Sequence, residues 1–402
     1  MRFIFLALIV LVCVPARAED TDLVNWLQAR VSAIPGYGPA FIASYDVVIN
    51  SGGPGKSDFD AANANAAYTY DEALAIMALL TAGDVPRARR LGEALVYAQS
   101  HDRFWHDGRL RNAYLAGPVG EGDVKLPGQW NAEFGRWQED AYQAGSAAGN
   151  NAWAGIALMR LYDATGDRSY KSAAQKIGAW LQSLPDAAKG IPGGTEGFEP
   201  HPAQLTWRSI EHNIAALALF RLLAEKDAAR STQTFIESLW SSDHFAVGTL
   251  ADGVTINRAY SSLDAQVLAL LALNAPDNYR PALAYAVRTH GVASDKKIIG
   301  FSYSDAKDGI WAEGTAEAAD LYQLLGDKAT AQTLLGSITA HPAPGGGIYA
   351  VQGDTSPEQL STGLALGNGE GAQLYYYRRV ALAPAAWAIM AARGCNPLAM
   401  AK

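Results

Sequence analysis

Cysteine is almost absent: the 402-residue chain has two, Cys13 and Cys395. Cys13 sits in an apolar leader, so one thiol remains beyond it. One thiol allows no internal disulfide, no cysteine-based metal site and no redox pair. Runs of positive charge are missing as well. The adjacent pairs Arg89-Arg90, Lys296-Lys297 and Arg378-Arg379 are too short to count, and the formal net charge is -8 with a pI near 5.4. No nucleic-acid partner is expected from such a chain, and a strongly anionic polymer is a disfavoured ligand. Several signatures are absent too. "GGPGKSD" (Gly52–Asp58) lacks the full phosphate-loop spacing. No Gly-x-Ser-x-Gly elbow and no His-Glu-x-x-His occur. "SDAKDG" (Ser304–Gly309) lacks the twelve-residue spacing of a calcium loop. No metal or cofactor is therefore expected. After the leader, no stretch reaches the ~18 uncharged apolar residues of a membrane span.

The leader has its own logic. Arg2 precedes "FIFLALIVLVCV", and small residues follow at Ala16 and Ala18. That pattern predicts a secretory signal over residues 1–18, cleaved after Ala18. The mature protein is then secreted or periplasmic, with no stable membrane insertion, and a monomer is expected. Lipidation at Cys13 is the weaker alternative, because Val12 stands where a small residue is needed. Without disulfides, stability must come from a large core, and 49% of the residues are hydrophobic.

What the chain does have is a repeat. Tyr68–Asp84, Gly149–Asp167, Thr206–Asp227, Ser261–Asp277 and the stretch from Trp311 to Asp327 are apolar nearly all round and rich in Ala. Each is followed by an amphipathic stretch. The first kind is buried on every side and the second on one. The links "TAGD", "ATGD", "AEKD", "NAPD" and "LLGD" all end in Asp: Gly or Asn suits the end of one helix, and Asp caps the start of the next. A sixth apolar helix, "LAPAAWAIMAARGCNPL", has no successor. Thr21–Ile34 is amphipathic and free to cover it. The prediction is an all-α fold: an (α/α)6 toroid of six helical hairpins forming one domain over residues 19–402. Its inner helices should start near residues 69, 150, 207, 262, 311 and 381. An open solenoid would need polar caps at both ends.

The long irregular segments all precede inner helices: His101–Ala148, Pro185–Leu205, Ser241–Tyr260, Gly291–Ile310 and His341–Val380. One face of the toroid therefore carries every long loop together with the inner helix N-termini, and function concentrates on such loops. "YTYDEALAI", "GNNAWAGIAL", "SIEHN" and "WAEGTAEAADLY" stand at those N-termini. With these phrases and the hairpin count, essentially the whole mature chain resembles the six-hairpin glycosidase-like superfamily. The resemblance implies a carbohydrate substrate and, for most members, glycoside hydrolysis, often with inversion. Some members are uronate-handling lyases or epimerases.

Paired carboxylates are the minimum for cleaving a glycosidic bond, one protonated and one ionised. Glu313, Asp71 and Glu211 are the catalytic candidates, with Glu313 as general acid, Asp71 as base and Glu211 as the competing partner. Each has a plainer reading. Asp71 and Glu313 suit a helix start, while Glu211 needs a partner or a cavity. Gly314 after Glu313 would let a backbone or ligand approach. Glu317 lies one turn further along the same face. Asp264, Asn151, Trp153, Trp207, His212, Trp311 and Tyr349 are the candidate substrate-binding groups. Ser261 or Ser262 could already cap the helix at Asp264, and His212 could be a core histidine. Glu72 reads as a packing or capping residue. The aromatic loops His101–Tyr114 and Trp130–Tyr142 read either as sugar subsites at the rim or as loops packed on the ring. A lyase stays open through His212, Tyr303 and Tyr349 as bases and Arg208 or Arg258 as the carboxylate partner. A non-catalytic glycan binder stays open too. Terpene-type chemistry is set aside, because no DxDD or DDxxD run occurs.

Overall fold

The computed structural model describes residues 18–47, 56–352, 358–365 and 373–400. Residues 1–17 of the leader, Gly52–Gly55 and the end of the Gly345–Asp354 loop lie outside the described residues. The helices are α1 (Ala18–Ala33), α2 (Lys56–Asn63), α3 (Thr69–Thr81), α4 (Val85–Ser100), α5 (Ala141–Ala144), α6 (Ala148–Thr165) and α7 (Arg168–Ser183). They continue as α8 (Ile210–Leu223), α9 (Lys226–Ser238), α10 (Leu263–Ala272), α11 (Pro281–His290), α12 (Ala312–Leu324), α13 (Lys328–Thr339) and α14 (Leu382–Ala392). Helices α3, α6, α8, α10, α12 and α14 pack each on the next, and α14 returns to α3. Outside them lie α4, α7, α9, α11 and α13, with α1 against α14. The (α/α)6 toroid closes, and α1 supplies the sixth outer helix.

Burial follows the sequence pattern. Every residue of α14 from Leu382 to Ala391 is buried. The outer helix α7 buries Tyr170, Ala173, Ala174, Ile177, Trp180 and Leu181, a one-sided stripe. Each tight link turns through left-handed backbone: Gly83, Gly166, Ala224, the pair Asn274 and Ala275, and Gly326. Asp84, Asp167 and Asp327 cap α4, α7 and α13, accepting from Arg87, Ser169 and Thr330 N–H. The expected Asp caps fail at two links. Helix α9 starts at Lys226, which puts Asp227 inside its first turn without a cap bond. Helix α11 starts at Pro281, which has no N–H to cap, and Asp277 pairs instead with Arg280 at 3.2 Å.

Short strands add to the expected all-α picture. The residues before each inner helix pair antiparallel with the loop of the next hairpin. Ala66–Tyr68 pairs with Ala113–Leu115, Ser146–Ala147 with Gly194–Thr195, and Ser209 bridges to Gly248. Ser262 bridges to Ser304, Ile310–Trp311 pairs with Val351–Gln352, and Val380–Ala381 pairs with Tyr45–Asp46. The last pairing joins the end of the chain to its start. The first N–H of each inner helix then donates to that neighbouring loop. The six bonds are Thr69 to Asn112, Ala148 to Gly193, Ile210 to Val247, Leu263 to Tyr303, Ala312 to Ala350 and Leu382 to Ser44, each 2.9–3.0 Å. Buried backbone groups need partners, and here the neighbouring hairpin provides them. Ser262, expected as a cap, makes no cap bond.

Candidate active site

Those six bonded N–H groups set a common register for the inner helices. The next residue along is Tyr70, Gly149, Glu211, Asp264, Glu313 and Ala383 in turn. The one after that is Asp71, Asn150, His212, Ala265, Gly314 and Pro384. Four inner helix starts thus carry an acid at one of two equivalent levels: α3, α8, α10 and α12. One residue further come Glu72, Asn151, Asn213, Gln266, Thr315 and Ala385.

This last level is structural. Asn151 accepts from Leu110 N–H at 2.7 Å and donates to Leu110 C=O at 2.9 Å. Asn213 does the same to Ile191 at 2.7 and 3.0 Å, and Gln266 to Phe245 at 2.9 and 2.9 Å. Glu72 accepts from Ile42 N–H at 2.6 Å, and Thr315 accepts from Phe301 N–H at 3.0 Å. Each side chain clamps the buried loop strand of its own hairpin. Asn151, expected to bind substrate, is such a clamp, with its amide fully occupied.

Tyr70 Oη donates to Glu313 Oε1 at 2.6 Å and accepts from Trp387 Nε1 at 3.1 Å. One chain of bonds thus joins α14, α3 and α12. Burial pushes the Glu313 carboxyl up to about 8; the Tyr70 bond opposes this, and Asp71 and Asp264 add to it. Burial also raises Asp71 to about 7, against a hydrogen bond from Ser44 and the charge of Arg30. Arg30 comes from the closing helix α1 and is held by Ala43 C=O at 2.7 Å and Asp46 at 2.6 Å. Glu211 and Asp264 share a side-chain hydrogen bond. Burial, then the Asp264 charge, raises Glu211 well above the carboxylate range, so Glu211 donates and Asp264 accepts. Asp264 also accepts from Ala265 N–H at 2.9 Å. His212 is held down at about 4 by burial and is a neutral imidazole at pH 7.

Glu313 and Asp71 do not face each other across the full ring. Their helices flank α14, whose starting residues Ala383 and Pro384 are small. Glu211, Asp264 and Glu313 occupy three consecutive inner helices, with Tyr70 and Asp71 beyond the α14 gap.

The aromatic candidates divide. Trp207 is half-buried against the His212 ring, 5.3 Å away. Trp153 is 2% exposed, inside the barrel, edge-on to Tyr70 at 5.6 Å and to Trp387 at 5.8 Å. It supports Tyr70 and offers no face to a sugar. Trp311 is buried against Tyr303 at 4.9 Å and Tyr376 at 5.2 Å. Its ring lies back over Gly314, where a Cβ would come within 2.2 Å of it. Gly314 therefore makes room for Trp311, not for a ligand. Tyr349 lies under the Arg378 guanidinium at 4.0 Å. Arg208, a candidate partner for a uronate, is buried and donates to the carbonyls of Gly190, Gly253 and Asp186.

Sequence reasoning missed Tyr70, Tyr45 and Tyr376. The Tyr376 phenol is raised by burial and then by Glu313, Asp264 and Glu211, and the Tyr45 phenol by burial and then by Asp71. Both overlook the acids. Tyr70 was legible in hindsight, because it holds in α3 the level of Glu211, Asp264 and Glu313. Tyr376 carried no signal, since its strand (Gln373–Tyr377) reaches the site only through the fold.

No family model matches the chain, and no curated protein matches it by sequence. Solved structures do match. An alpha-amylase from Clostridium perfringens is 11% identical with a TM-score of 0.59, over 95% of this chain and 99% of that one. A GH76 alpha-mannanase from Bacteroides thetaiotaomicron is 12% identical with a TM-score of 0.57, over 94% and 96%. A cellobiose 2-epimerase from Spirochaeta thermophila is 14% identical with a TM-score of 0.59, over 94% and 96%. At these identities the likeness shows the fold alone, the (α/α)6 toroid.

Proposed function

We propose that the protein is a glycoside hydrolase acting on a polysaccharide or its oligosaccharides, with Glu313 as general acid and Asp71 as general base. The observation that carries this reading is the Tyr70–Glu313 bond at the mouth of the ring. It fixes a buried carboxyl that remains protonated at neutral pH. With Oε1 held by Tyr70, Oε2 is the oxygen left to deliver a proton to the leaving glycosidic oxygen. Asp71, raised to about 7, is substantially ionised at neutral pH and takes a proton from the attacking water. Inversion is the expected outcome, which requires about 6.5–9.5 Å between the two carboxyls. A uronate would have to pair with Arg258, because Arg208 is already held by three carbonyls. The Glu211–Asp264 bond supports a second reading, in which Asp264, the acceptor of that bond, is the base; burial raises its carboxyl, and bonds from Ser262, Ala265 N–H and Glu211 oppose this. Export through the leader belongs to the main reading, and N-terminal sequencing of exported protein beginning at Glu19 would support it.

A polysaccharide panel assayed for new reducing ends tests the activity. On a responsive glycan, Glu313→Gln and Asp71→Asn should each lower kcat by about 10²-fold or more. Retained activity in Glu313→Gln would remove it as the acid. If Asp264→Asn is inactive and Asp71→Asn is not, the base is Asp264. Unsaturated products would indicate a lyase, and binding without release a glycan-binding protein. The kcat/KM profile should be bell-shaped, with limbs at about 7 from Asp71 and about 8 from Glu313.

A further inference from the structure

Outside the ring of acids, one hairpin carries three exposed aromatic residues. Gln129–Asn131 pairs with Arg136–Gln138, and Trp130 stands directly opposite Trp137. Opposed residues of an antiparallel pair project from the same face. Trp130 is 64% exposed, Trp137 43% and the turn residue Phe134 63%. Exposed apolar patches with polar surroundings mark interaction sites. Gln129, Asn131 and Gln138 alternate with the tryptophans and take the opposite face of the ribbon. The hairpin is also anchored. Asn65 donates to Gly128 C=O at 3.0 Å and accepts from Gly128 N–H at 3.3 Å. A Cβ at Gly128 would lie 2.5 Å from Trp137 Nε1, so that indole is seated on bare backbone. Asn131 donates to Gln138 Oε1 at 2.7 Å and accepts from Phe134 N–H at 3.1 Å, which fixes the turn.

The hairpin is continuous with the proposed active site. After Gln138 the chain enters α5, capped by Asp140, and presents Tyr142 at 47% exposure. The Tyr142 ring lies 6.3 Å from that of Tyr68, and its hydroxyl bonds the Asn150 amide. Gln143 donates to Tyr68 Oη at 3.1 Å. Tyr68 immediately precedes α3, and Asn150 holds in α6 the level of Asp71. A ring contact and hydrogen bonds thus join Tyr142 to Tyr68 and Asn150 at the inner helix starts, and the hairpin is tied to them through the chain, with Trp137 five residues before Tyr142.

We propose that Trp130, Trp137 and Tyr142 form an outer subsite that stacks a neutral polysaccharide chain as it leaves the active site. Rigid aromatic faces match the apolar faces of pyranose rings. This rests on the glycosidase reading and adds that the natural substrate is a polymer longer than the acids alone can contact.

The test is affinity electrophoresis in gels containing hydroxyethylcellulose, xylan, laminarin, yeast mannan or soluble starch. Wild type and Glu313→Gln should both be retarded by at least one of them. The double variant Trp130→Ala/Trp137→Ala should bind that polymer about tenfold more weakly, the equivalent of ~1.4 kcal/mol. Its KM for the polymer should rise similarly, with kcat on a short oligosaccharide of the same glycan unchanged. If the double variant misfolds by circular dichroism, Trp130→Gln alone serves, because Trp130 is mostly in solvent. Undiminished retardation of these variants, or no retardation of wild type in any gel, overturns the subsite. So does wild-type self-association in sedimentation velocity, or flotation with phosphatidylglycerol vesicles, that Trp130→Gln abolishes. The two readings fail separately: an active Glu313→Gln sinks the acid assignment, and unchanged retardation sinks only the subsite.

Discussion

Asp320 shows what a buried acid does to stability. It lies in α12 below Glu313 and Glu317, is buried, and has an Oδ2 without a hydrogen-bond partner. Burial raises it to about 7, against about 3.9 in an unfolded chain. The folded state therefore holds a proton that the unfolded state releases. The resulting stability is fully present below about pH 4 and is lost as pH rises through about 7. Glu313 and Asp71 act in the same direction. Calorimetry at pH 5 and pH 8 should show wild type less stable at pH 8. Asp320→Asn should lose part of that difference and exceed wild type at pH 8. An unchanged pH dependence in Asp320→Asn would show that Asp320 does not titrate in the folded state. At this scale the sequence located the acids but not their partners. The Tyr70–Glu313 bond spans 243 residues, and no local pattern announces it.

The elements were more legible, because helix periodicity and link residues are local. All six inner helices begin within three residues of the expected starts, since the apolar runs and their flanking loops set those limits. The Asp caps held where the link left the carboxylate one residue before the helix, and failed at Asp227 and Asp277, where Lys226 and Pro281 took the first helical position. Two links carry a conformational penalty: one at Ala224, the other at Asn274 and Ala275, at φ +60° and +42°. Ala224 adopts φ +61°, a left-handed value that its counterparts Gly83, Gly166 and Gly326 adopt without a Cβ. Ala224→Gly relieves about 1–2 kcal/mol of steric cost and gives back about 0.5–1 kcal/mol as unfolded-chain entropy. The melting temperature should rise modestly, and activity should stay unchanged, because the link lies at the end of the ring away from the acids. A lowered melting temperature would mean that the Ala224 methyl contributes packing that outweighs its strain.

At the scale of the molecule, closure depends on α1. Leu23, Trp26, Leu27 and Val31 are buried, and the helix covers α14, which is apolar all round. Leu27→Ala removes a buried side chain at the seam and should cost about 2–5 kcal/mol. Urea unfolding should remain a single transition with a lower midpoint. Two separate transitions would show that α1 docks independently and that the ring does not depend on it. Arg30 on the same helix sets its charge near Asp71, so the closing helix also tunes the proposed base.

Apolar periodicity, Ala content and link chemistry determined that this chain forms six helical hairpins, because those signals act over one or two turns. They also determined which face carries the loops, since every long segment precedes an inner helix. The tertiary structure alone decided the rest. It made Asn151 a clamp and Trp153 a core support, and folded Trp311 back onto Gly314, because each outcome depends on which loop strand or ring fills the adjoining space. It bonded Glu211 to Asp264 and Glu313 to Tyr70, because bringing helices far apart in sequence together in one ring is the work of the closed toroid and not of any local segment.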